Sequence, residues 1–115
     1  MSDKEFFSTL TKYNTHLAKL ARETIDLIRS SGVTGELVED SNGRWVNRPI
    51  NIFTIKVQPR AENISFTLYG EPDIYNLDDF LRKDQNSYSR GWIKDSTDVK
   101  RFAGLAKDAH ERRQQ

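Results

Sequence analysis

The chain has no cysteine, which excludes disulfides, thiolate metal sites and cysteine nucleophiles at once. Its two histidines, His16 and His110, lie far apart in the sequence, and neither neighbours a serine and a carboxylate in a triad-like pattern. Two histidines and scattered carboxylates offer no zinc-ligand spacing, so no metal or other cofactor is expected. No run approaches the ~20 apolar residues that a membrane span needs. The opening MSDKEFF also lacks the basic-then-apolar order of a secretion signal. A cytoplasmic location without a membrane partner follows as the expectation. An excess of one charge is missing too: 18 basic residues face 17 acidic ones, net +1, and no third of the chain departs from balance by more than one charge. Only local patches can then attract an anionic partner. The glycines, at 32, 35, 43, 70, 91 and 104, are too scattered for a phosphate loop. With 115 residues the chain is one domain, 1–115, large enough for a hydrophobic core and too short for two.

The strongest pattern present is Ile50 to Gly70. Phe53, Ile55 and Val57 alternate with Thr54 and Lys56; after Gln58-Pro59-Arg60-Ala61-Glu62-Asn63, Ile64, Phe66 and Leu68 alternate with Ser65, Thr67 and Tyr69. Period-two spacing in β-branched and aromatic residues predicts two paired strands with one row on a core. Asn42-Gly43 predicts a hairpin joining 36–40 to 44–47, with both turn residues at positive φ. Pro49 and a slip of the apolar phase near Ile52 predict either one bent strand over 44–57 or two strands divided at Pro49.

Flanking this meander are two helical patterns. Over residues 3 to 31, Phe7, Leu10, Asn14, Leu17, Leu20, Ala21, Thr24, Leu27 and Ile28 recur at helical steps, opened by a Ser2–Glu5 capping box and closed at Gly32. From Ser96 to about Arg112 the stripe is Val99, Phe102, Ala103, Ala106 and Ala109, capped by Asp95 or Ser96. Between meander and last helix, Asn76 is expected to open a short helix containing Asp78 and Asp79, and Tyr88 to Lys94 to form a short edge strand. The expected fold class is α+β, a two-layer sandwich of a three- to five-stranded antiparallel meander sheet with a long N-terminal and a C-terminal helix.

Two stretches, Phe53-Thr-Ile-Lys-Val-Gln-Pro with Ile64-Ser-Phe-Thr-Leu-Tyr, and Tyr88-Ser-Arg-Gly-Trp-Ile-Lys-Asp-Ser-Thr-Asp-Val-Lys leading into Ala106-Lys-Asp-Ala-His-Glu-Arg, cover roughly half the chain. In their order of elements they resemble a family of small α+β domains of unknown function, some described as predicted transport proteins and found beside restriction-type nucleases and defence genes. The resemblance implies a fold and a nucleic-acid or a bacterial or phage defence context, with no catalytic residues to carry over.

For function, basic and aromatic residues interleave on the expected strands: Arg44, Trp45, Lys56, Tyr69, Arg90 and Trp92 are the candidate binding residues. Gathered on one sheet face they would offer cationic and stacking contacts. The plainer alternative makes Trp45 and Trp92 packing residues covered by arginine stems. Outward Glu36, Glu39, Asp40 and Glu71 would weaken a basic patch. The expected function is a small non-catalytic interaction domain acting through its sheet face. A protein partner or a second copy (a homodimer) is the first expectation, and a nucleic acid the second. The alternative is a degenerate metal-dependent nuclease using Asp73, Asp98 and Lys100, although Asp98 and Lys100 fall in the first turn of a helix rather than on a strand.

Overall fold

In the computed structural model, which describes residues 2–75, 79–85 and 87–113, α1 (Asp3–Thr9), a 3-10 turn (Leu10–Lys12) and α2 (Thr15–Ser30) precede the sheet strands. These are β1 (Glu36–Glu39), β2 (Trp45–Arg48), β3 (Phe53–Gln58), β4 (Asn63–Tyr69), β5 (Arg82–Lys83) and β6 (Tyr88–Ile93), followed by α3 (Ser96–Arg113). The sheet order is β1-β2-β3-β4-β6-β5 and every pairing is antiparallel. This is the expected α+β fold with terminal helices, with six strands instead of three to five.

The central alternation behaves as its period requires. Phe53, Ile55, Ile64, Phe66 and Leu68 are buried together, in register Phe53↔Leu68, Ile55↔Phe66 and Val57↔Ile64. Against that row pack Leu17, Ile25 and Ile28 of α2 and Val99, Phe102 and Ala106 of α3. Phe102 sits over the sheet, 4.1 Å between ring centroids from Phe66 and 5.7 Å edge-on from Phe53. Burying each such side chain stabilises the fold by roughly 1.5–3 kcal/mol. The alanines of α3 let the helices approach each other closely. Gly91, on the inward row of β6, leaves room for the Phe66 ring: a Cβ there would come within 2.6 Å of Phe66 Cζ.

The N-terminal helical pattern is divided into two. Asn14 is not part of a continuous stripe; it is the N-cap of α2, extended in backbone and accepting the Leu17 N–H at 2.8 Å. An asparagine side chain that satisfies an orphan helix donor makes a better start than an interior position. The break also resets the phase, so that Phe6 rather than Phe7 is buried, and Ile25 rather than the exposed Leu27. Ser2 does cap α1, accepting from Glu5 N at 3.3 Å. At the far end, Gly32 (φ +99°) closes α2, with Val33 N–H bonded to Ile28 O and Gly32 N–H to Arg29 O, the Schellman arrangement.

The β1–β2 hairpin forms where expected, with Leu37↔Asn47 and Glu39↔Trp45 opposite each other. Its turn differs: Gly43 alone has positive φ. Asp40 takes the place of a second left-handed residue, accepting from Asn42 N–H (2.9 Å) and Arg44 N–H (3.0 Å) through its carboxylate. Type I turn plus glycine is the three-residue alternative to the two-residue loop. Pro49 divides two strands rather than bending one. The helix expected from Asn76 falls partly outside the described residues; Asp79 and Phe80 are turn, and Arg82–Lys83 pair with β6. As a consequence β6 is not an edge: it lies between β4 and β5.

Candidate functional site

Both long helices, and α1 with them, pack on one face of the sheet, because their stripes are completed by the single inward row described above. The opposite face carries the alternate residues and, among the described residues, no helix. Two rows cross it. Val38, Val46, Thr54, Thr67, Arg90 and Arg82 form the first, each opposite the next in register. Lys56, Ser65 and Trp92 form the second. Near the middle, the Thr54 and Thr67 hydroxyls bond to each other at 2.7 Å. The Thr67 and Ser65 hydroxyls of β4 form a strip between Lys56 on β3 and Arg90 on β6, with Arg82 beyond on β5. Lys56 and Trp92 stand two strands apart, about 10 Å.

The charges on this face are unequally compensated. Arg44 is tied to Asp40 (3.2 Å), and Arg90 lies 3.9 Å from Asp84. Burial would raise the Asp40 carboxyl, but the N–H groups of Arg44 and Asn42 and the Arg44 guanidinium outweigh it and hold it below the ordinary 3.8. Arg48, Lys56 and Arg82 have no carboxylate within 4.0 Å among the described residues. Trp92 is half-buried, with the Arg82 and Arg90 guanidiniums 5.9 and 5.4 Å from its ring centroid. A polar hollow of about 240 Å³ adjoins the strip, lined by Arg44, Arg48, Asn51, Thr67 and Asp84 among others.

Of the six candidate residues, Arg44, Lys56, Arg90 and Trp92 meet on the open face. Trp45 does not. It is 8 % exposed on the covered face, its ring 5.4 Å edge-on from Phe6, so the packing alternative describes it. The parity of the hairpin decides this, since Trp45 pairs with inward Ile55. Tyr69 lies at the rim, edge-on to Tyr88 and overlaid by Arg113 at 4.3 Å. With Trp45 gone, the uncovered face is cationic and hydroxylated rather than an apolar patch. Arg48 and Arg82 belong to the site as well. Arg48 ends the outward row of β2, while Arg82 sits on a two-residue strand that no alternation announces.

The sheet edges are poorly suited to strand addition. The β1 edge is occupied by α1: Asp3 accepts the Leu37 N–H at 3.0 Å and donates its own N–H to Glu36 at 3.0 Å. Arg29 fixes that carboxylate from α2 at 2.7 and 3.1 Å. The other edge is the two residues of β5. Blunted and short edges of this kind resist pairing with a second chain.

Asp73, Asp98 and Lys100 do not converge. Asp98 is in the first turn of α3, where it accepts the Lys94 N–H (2.9 Å) while Asp95 caps the helix. Asp73 borders a hollow with Arg112 at the opposite end of that helix, about 20 Å away at 1.5 Å per residue. Lys100 faces the groove beside Leu27. His110 is buried at 8 % exposure with Nε2 3.3 Å from Thr34 Oγ1. No group of three or more metal-ligating side chains occurs among the described residues, and no helix is long and apolar enough to cross a membrane. Comparison with protein-family models, curated proteins and solved structures gives no match.

Proposed function

We propose that the chain is a binding module without catalytic chemistry of its own, which holds an anionic macromolecule against its open sheet face. One observation carries this reading: among the described residues, Arg48, Lys56 and Arg82 stand without carboxylate partners on the sheet face that no helix covers. An uncovered apolar face would favour a protein or a second copy; this face is instead lined by cations and hydroxyls, which complement phosphate or carboxylate. The blunted edges point the same way, because they leave the face rather than strand pairing as the contact.

The test is fluorescence anisotropy of labelled oligonucleotides, in wild type and in the Lys56→Glu/Arg90→Glu double variant. Contacts to about three phosphates predict a salt slope near −2, roughly a 20-fold loss of affinity between 50 and 200 mM salt. The double variant is expected to bind at least tenfold more weakly. Absence of binding at low salt, or binding indifferent to the charge reversals, overturns the reading.

A further inference from the structure

We infer, building on that reading, that the macromolecule is a single-stranded nucleic acid, with one base stacked on Trp92 and the flanking phosphates held by Arg82, Arg90 and Lys56.

Three features select this occupant. Trp92 is the tryptophan on the open face, flanked by Arg82 and Arg90 at 5.9 and 5.4 Å; the other tryptophan is in the core, and Tyr69 and Tyr88 pack edge-on against each other at the rim. Its cross-strand partner is Ser65, a short side chain beside the ring. A flat base fits that step, between indole and hydroxyl strip, and stacking on an aromatic ring is tolerant of sequence. Next, the cations lie on both sides of the strip. Arg82 and Arg90 are adjacent across β5–β6, and Lys56 stands on β3, two strands from Arg90, with Nζ donating to the Asn42 carbonyl of the hairpin turn at 3.2 Å. Phosphates on either side of one splayed base would meet both groups.

Last, the face offers a duplex little. Reading a duplex groove calls for a protruding helix or ribbon, and here the long helices lie behind the sheet. An acidic protein would satisfy the cations but make no use of the stacking step.

The experiment compares a labelled 12-nucleotide single strand, its duplex and polyglutamate on the full chain, with Trp92→Ala and Trp92→Phe variants checked for native circular dichroism. The single strand is expected to bind at least tenfold more tightly than duplex or polyglutamate. Trp92→Ala should weaken single-strand binding roughly 5- to 100-fold, the measured range for one stacked base, while Trp92→Phe restores most of it. Neither variant should alter polyglutamate binding. Equal affinity for single strand and duplex, or a Trp92→Ala variant that binds as wild type, overturns this inference. The broader reading survives that result if Lys56→Glu/Arg90→Glu still abolishes binding. If no polyanion binds at all, both fall.

Discussion

Two glycines on opposite sides of the same core should respond to one added methyl with opposite signs. Gly91 faces inward on β6, where a Cβ would lie 2.6 Å from Phe66 Cζ and 2.8 Å from the Phe80 carbonyl oxygen. Carbon contacts below about 3.4 Å are repulsive, so something must move. The Phe66 ring is pinned between Phe102 at 4.1 Å and Phe80 at 5.5 Å, and the carbonyl belongs to the backbone leading into β5. Neither can retreat without disturbing the layer, and overpacking of this kind costs about 1–3 kcal/mol. Gly104, exposed on α3, has nothing within 4 Å of the same added atom. Alanine there lowers the entropy lost by the helical backbone and should stabilise by about 0.5–1 kcal/mol. Urea unfolding followed by circular dichroism measures both. With an m value of about 1–2 kcal/mol/M, the Gly91→Ala and Gly104→Ala midpoints should separate by roughly 1–4 M, on opposite sides of wild type. A Gly91→Ala midpoint at or above wild type would refute the packing of Phe66 over β6.

Asn14→Ala should cost about 1 kcal/mol in the same assay by removing the α2 cap, whereas Asn14→Asp should retain most of the stability. Asp40 supports the hairpin as a carboxylate whose pKa is lowered on folding. Its contribution is present above pH 3.8 and is lost as pH falls below that, so Asp40→Asn should flatten the acid limb of the stability profile. Tyr75 runs the other way: burial, reinforced by the Asp108 carboxylate, pushes its phenol up to about 12, and its hydroxyl donates to the Tyr69 carbonyl. The unfolded chain ionises near 10, so stability should fall between pH 10 and 12. Tyr75→Phe should remove that part of the slope in alkaline denaturation.

How much of this could be read from residues alone varies by element. Phe53 to Leu68 declared itself because alternation and burial are the same fact in a two-layer fold. The α3 stripe was equally plain, and its small residues implied close packing correctly. The N-terminal helix misled because Asn14 fits a helical step and is also an excellent cap; only the local backbone distinguishes the two. Asn42-Gly43 located the hairpin but not the turn, since the Asp40 carboxylate competes with a second left-handed residue for the same N–H groups. For the candidate site, Lys56, Arg90 and Trp92 followed from strand parity. Trp45 did not, because the facing of a short strand beyond Pro49 depends on a register that local sequence leaves open. Arg82 lay beyond reach for a different reason: two residues are too few to show a period.

The most direct test of the open face as the binding surface is a chemical-shift map of the ¹⁵N-labelled chain titrated with the 12-nucleotide single strand. Shifts should gather on β3, β4 and β6, around Lys56, Ser65, Thr67, Arg90 and Trp92, with α2 and α3 nearly unmoved. Shifts gathered on the helices, or none at saturating ligand, would contradict it.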